Sequence, residues 1–145
     1  MSLEECKKRG KIISNPDVIK RIEKEKEIGN HFFKSAQKVI TIQEYDLTIL
    51  ASYNSCFHFI RALLYQKEYT EKSHFCLIQA VKEFYKEDLE LQNMLSFFNQ
   101  IRSSRHEIQY RGTYSDKEEC KQVLDFNEKL KDKVLEILKR ASSGI

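Results

Sequence analysis

Apolar residues recur at alternating spacings of three and four along almost the whole chain, and little interrupts them. That spacing turns one face of an α-helix toward a core. Only one proline and four glycines stand among 145 residues, with 32% of the chain charged and 41% hydrophobic. Many Lys, Glu, Leu and Ile residues with so few breakers predict an all-α fold, and this length makes one domain with a proper core.

The helices can be marked from their caps and stripes. Ser2 and Glu5 have the spacing of a capping box, which starts a short leader helix ending near Gly10. Asn15-Pro16 places an N-cap before a proline at the first helical position. From there Ile19, Ile22, Lys26, Gly29, Phe33, Ala36 and Ile40 hold the stripe to residue 41. A second helix is expected from Gln43 to Gln66 on Leu50, Tyr53, Phe57, Ile60 and Leu64. Ser73 caps a shorter third one carrying Leu77, Ile78, Val81, Phe84 and Tyr85. The fourth starts near Asp88 and fades between His106 and Gly112, and the fifth runs from Ser115, with Glu118 at capping-box spacing, to Arg140. Short connections make neighbours antiparallel. The expectation is a 14-residue leader and an up-and-down bundle over 15–141, four long helices plus a shorter one. Leu50, Tyr53, Phe57, Ile60, Phe98, Val123 and Leu130 should form the core.

Several constellations invite sharper readings and fail on physical grounds. Cys56 with His58, and His74 with Cys76, resemble metal-binding pairs. Residues two apart on a helix, however, point about 200° away from each other around the axis. No metal site and no cofactor are expected. Lys7, Lys8, Arg9 and Lys11 read as a solvated charged end, and the alternating signs from Lys20 to Glu27 as a solubilising surface. Tyr45, Tyr53, Tyr65, Tyr69 and Tyr85 lie at helical spacings and belong to packing. There is no P-loop, GxGxxG, GxSxG or HExxH. A net charge of +3 does not by itself point to nucleic acid. No apolar run approaches the roughly 18 residues of a membrane span, and no signal-peptide core opens the chain. Cys6, Cys56, Cys76 and Cys120 stand singly. The expectation is a cytoplasmic protein with four free thiols.

One charge breaks the pattern. Leu91, Met94, Phe98 and Ile101 form an inward stripe whose next members are Arg105 and Ile108. A guanidinium on a packed face is costly unless something pairs with it. Either Arg105 meets a buried carboxylate such as Glu44, Asp46 or Glu83, or it faces a polar cleft where an anion binds.

The blocks Ala51-Ser-Tyr-Asn-Ser-Cys-Phe-His58, Arg61-Ala-Leu-Leu-Tyr65, Tyr69-Thr-Glu-Lys-Ser-His74 and Arg105-His-Glu-Ile-Gln-Tyr110 follow one another in that order. Together they resemble a small stand-alone prokaryotic HEPN-domain protein over nearly the whole chain. The resemblance implies a helical bundle that commonly forms a homodimer, here with the fourth helix near the two-fold axis. Many such proteins are RNA-cleaving toxins or act beside a minimal nucleotidyltransferase in toxin–antitoxin pairs. The family's active motif is an arginine, four residues and a histidine, acting without metal across a dimer. Histidine assists attack by a ribose 2′-hydroxyl, and arginine stabilises the charged phosphorane.

Here that pattern falls on Arg105 and Tyr110, with His106 directly after the arginine and Arg102 one turn before His106. A general base works best with a pKa near ambient pH, as imidazole has at about 6.5. A phenol ordinarily titrates near 10, so about one in a thousand is ionised at pH 7. Binding therefore survives the tyrosine better than cleavage does. Two functions follow: a non-catalytic HEPN module binding RNA, a nucleotide or a protein partner around Arg105 and Tyr110, or a metal-independent endoribonuclease toxin using Arg105 or Arg102 with His106.

Overall fold

The computed structural model describes residues 1–112 and 114–142. Six helices make the body of the fold, with one two-stranded sheet at its side. Helix α1 spans Leu3–Lys8 and opens on Ser2, whose hydroxyl accepts from the Glu5 amide. Gly10 follows with a φ of +68°, a left-handed turn that a side chain would strain. Strand β1 (Ile12–Ser14) and a 3-10 turn (Pro16–Arg21) lead into α2 (Ile22–Thr41). The Asn15-Pro16 signal therefore starts a 3-10 turn rather than the long helix itself, and the Asn15 side chain makes no capping hydrogen bond.

Helix α3 (Tyr45–Gln66) turns back along α2. It is the central element and is buried on more than one face, including Ile49, Tyr53, Cys56, Phe59, Ile60, Leu63 and Leu64. The stripe read from the sequence is one of those faces. Leu50, expected in the core, is half-buried beside the fully buried Ile49. The other six expected core residues are buried as anticipated. At Gly29 an added Cβ would stand 2.9 Å from the Phe59 ring, so this glycine lets α2 and α3 approach closely.

Strand β2 (Tyr69–Glu71) pairs antiparallel with β1, Ile13 opposite Thr70. Helix α4 (His74–Phe84) opens on Ser73, whose hydroxyl accepts from the Cys76 amide. Asp88 caps α5 (Leu89–Arg111) in the same way through the Leu91 amide. That helix ends on Gly112 at a φ of +70°. The cap of helix α6 (Lys117–Ser142) falls one residue later than expected, on Asp116 rather than Ser115, and accepts from the Glu119 amide. Ser115 instead donates its backbone N–H to Asp46 at 2.7 Å, tying the start of α6 to α3. The fold is all-α with four long helices and a shorter one, as expected. The leader adds the helix α1, and the small sheet was not anticipated.

Two sequence expectations are corrected here. Cys6 and Cys76 form a disulfide across 70 residues of sequence, with their Cα atoms 5.8 Å apart. Only Cys56 and Cys120 are free, both buried. The cysteines are isolated along the chain, yet α1 packs directly on α4. The second correction concerns the charged run on α2. Glu25 is only 2% exposed and binds His58 at 2.5 Å and Arg61 at 3.6 Å. Arg61 grips Glu71 of β2 with two hydrogen bonds, 3.1 Å from Nε and 2.8 Å from Nη2. This fork-to-carboxylate geometry is the strong form of an ion pair, and with the Glu25 contacts it joins α2, α3 and β2.

No helix among the described residues is long and apolar enough to cross a membrane. Among the same residues no group of three or more His, Cys, Asp or Glu side chains could hold a metal ion.

Candidate nucleic-acid interface

The last turns of α5 form one wall of a cleft of about 300 Å³, lined by Arg102, Ser103, Arg105, His106 and Glu107 together with His74 of α4. Arg102, Arg105 and His106 come together because steps of three and four residues return to nearly the same side of a helix. The Arg105 guanidinium lies 4.7 Å from the centre of the Tyr53 ring, a cation–π contact that uses the ring's negative face. Arg102 takes a hydrogen bond partner in Asn99, at 3.1 Å from its Nε. Neither arginine has a carboxylate within 4.0 Å among the described residues. The carboxylates proposed from sequence are placed elsewhere: Asp46 accepts from Ser115, Glu83 pairs with Lys86, and Glu44 is exposed. Glu107, the one acidic residue of the cleft wall, pairs with Arg111 at 3.6 Å.

Tyr53 connects this wall to the core. It is fully buried against Phe98 at a ring separation of 5.0 Å, and its hydroxyl meets His74 Nδ1 at 2.6 Å. Burial raises its pKa to about 12, against the lowering pull of Arg105 and Arg102. His74 moves the other way, down to about 4, through burial first and then the positive charges of Arg105, Arg61, Arg102 and His58. At neutral pH the pair is therefore a phenol and a neutral imidazole, and the arginines carry the positive charge of the site.

A larger cavity of about 720 Å³ lies at the α4–α5 turn. Glu83, Glu87 and Asp88 set its charge against Lys86 and Arg140, so it lacks the single sign that gathers an anion. The smaller cleft instead gathers two arginines and two histidines around a single carboxylate.

The family model of the HEPN domain matches residues 22–138. The chain belongs to the HEPN family. No curated protein matches the sequence. HEPN domains in general have RNA-related or nucleotide-binding roles.

Within this HEPN domain the motif residues separate. Five residues along a helix is about 140° around it, so Tyr110 does not share the face of Arg105. It is 61% exposed, outside the cleft lining, with its ring 5.0 Å from that of His106. The structure brings together Arg102, Arg105 and His106 and leaves Tyr110 on the outer edge. His74 and Tyr53 are the residues that sequence reasoning missed. The signals available were the Ala51–His58 and Tyr69–His74 blocks, and nothing local in either tells that Tyr53 and His74 will meet.

Proposed function

We propose that this HEPN domain binds the phosphate of RNA or of a nucleotide through the Arg102–Arg105 cleft, without cleaving it. The observation that carries this reading is Arg105 itself, which stands on the cleft wall over Tyr53 with no carboxylate partner among the described residues. A guanidinium placed this way offers a planar fork to a phosphate and loses no internal ion pair in doing so. Non-cleavage is supported by the motif's last position, where a tyrosine replaces the family's histidine and is turned away from the arginine's face. The protein acts as a homodimer, in keeping with the frequent dimers of HEPN domains, and light scattering at increasing concentration tests that part.

The binding test is a fluorescent hexauridylate titrated with protein in EDTA, with uridine 5′-monophosphate as competitor. Saturable binding without cyclic-phosphate ends is expected. Competition by the mononucleotide distinguishes a single-phosphate site from one that needs a strand. A second reading, the metal-independent endoribonuclease toxin, is favoured by one observation: His106 lines the same cleft as both arginines. Cyclic-phosphate ends that vanish in His106→Ala would establish it. A minimal nucleotidyltransferase is the partner this family reading suggests, tested by co-purification of the two proteins.

A further inference from the structure

His74 opens α4 directly after its Ser73 cap and lines the cleft with Arg102 and Arg105. Its ring is held against Phe57 at 4.2 Å and Tyr53 at 5.9 Å, so its orientation is fixed by aromatic packing. The Tyr53 hydroxyl stands 2.6 Å from Nδ1. A phenol is the better donor of the two and an imidazole nitrogen the better acceptor, so Tyr53 donates and Nδ1 accepts. A neutral imidazole carries a single ring proton, which must then sit on Nε2.

Burial first, and then the charges around it, hold His74 in that neutral form. Arg61 and His58 on α3, with Arg102 and Arg105 on α5, all oppose a second proton. His106 and Glu107 complete the cleft wall, and Glu107 is engaged by Arg111.

We propose that His74 is a specificity-determining residue of the cleft: a neutral Nε2–H donor, locked in one tautomer by Tyr53, that binds a non-bridging oxygen of the phosphate held by Arg105 and Arg102. This rests on the reading of the cleft as a phosphate site. The two arginines supply charge, which any anion satisfies at many angles. A fixed N–H adds a direction, and so favours a ligand with an acceptor oxygen at one place. Because the donor is neutral, its contribution does not depend on protonation in the ordinary pH range.

The first test needs no ligand. Long-range proton–nitrogen correlation spectra of the imidazoles, with His74→Gln for assignment, should show the Nε2–H tautomer alone between about pH 5.5 and 8. In Tyr53→Phe the Nδ1–H form should appear. An Nδ1–H tautomer in the natural protein, or an imidazolium in that range, overturns the proposal. The second test is hexauridylate binding. His74→Ala should weaken it about tenfold, or ~1.4 kcal/mol. His74→Gln, which restores an N–H donor, should recover it to within about threefold, and the ratio of natural to His74→Ala affinity should stay flat from about pH 6 to 8. Equal weakening in both variants with normal melting overturns the donor role. If Arg105→Ala leaves binding unchanged, the phosphate reading of the cleft fails. If Arg105→Ala weakens binding and His74→Ala does not, only the role of His74 fails.

Discussion

Arg105 stacks its guanidinium 4.7 Å from the centre of the Tyr53 ring, on the face of α5 where periodicity calls for a packing residue. The contact explains how a charge occupies that face without a carboxylate. The aromatic ring shields one side of the cation, while the other groups around it are the polar walls of the cleft.

Arg105→Ala should therefore do little to stability. An incompletely buried cation–π contact is worth about 0.5–1 kcal/mol, whereas breaking a buried ion pair costs about 3–5 kcal/mol. Hexauridylate affinity should fall about tenfold, and the slope of log affinity against log salt should shrink by about 0.7, one phosphate contact on a single strand. Thermal melts paired with a salt series check both. A melting temperature that collapses while binding persists would make this arginine purely structural.

Arg61 is the opposite case. Its fork on Glu71 and its contact with Glu25 are among the least exposed charges of the fold, and Phe57 lies beneath it at 4.4 Å. Arg61→Met should destabilise by about 3 kcal/mol, because two buried carboxylates lose their shared cation. Arg111→Ala, which removes an exposed pair with Glu107, should change stability by less than about 1 kcal/mol. Denaturant titration of the two variants separates them; equal effects would mean the network contributes no more than a surface contact.

The Cys6–Cys76 bridge closes a long loop and pins α1 to α4. Removing it with Cys6→Ser should cost about 2–4 kcal/mol. Denatured protein without reductant should expose two reactive thiols, those of Cys56 and Cys120. A count of four would show the bridge to be absent.

What the sequence made legible was what is local. The Ser2, Ser73 and Asp88 caps each bond an amide three residues on, so their signals lie within one helical turn. The stripes worked for the same reason. Glu25 was hidden because its partners, His58 and Arg61, come from another helix, and on α2 alone it reads as one more surface charge. The sheet was hidden because three-residue strands have no readable periodicity and their pairing spans more than fifty residues. Of the site, Arg105 was found as an anomaly in a helical pattern. His74 and Tyr53 were not, since their meeting depends on where α4 is set down against α3.

Gly29 offers a test of that packing. Alanine there gains about 1 kcal/mol of helix propensity but drives a Cβ to 2.9 Å from the buried Phe59 ring. Overpacking of this kind costs about 1–3 kcal/mol, so Gly29→Ala should be neutral to destabilising. A clear rise in melting temperature would show that Phe59 yields freely.

His74 makes the fold sensitive to acid. In the folded chain it is held down to about 4, chiefly by burial, against an ordinary value of 6.5. Between those two values the unfolded chain takes up a proton that the folded chain refuses, so stability rises with pH across the window. The contribution is complete above about pH 6.5 and is lost progressively as the pH falls toward 4. Asp88, lowered despite its burial by the Leu91 amide and Lys133, acts in a separate and more acidic window. Its contribution is present above the ordinary carboxylate value of 3.8 and lost below it. The two are thus resolved by pH. Denaturant melts at about pH 7, 6 and 5 should show the natural protein losing stability faster than His74→Gln, which has no proton to take up. Parallel losses in the two proteins would mean that His74 is protonated as readily in the fold as out of it, and that burial and the arginines around it do not hold it neutral.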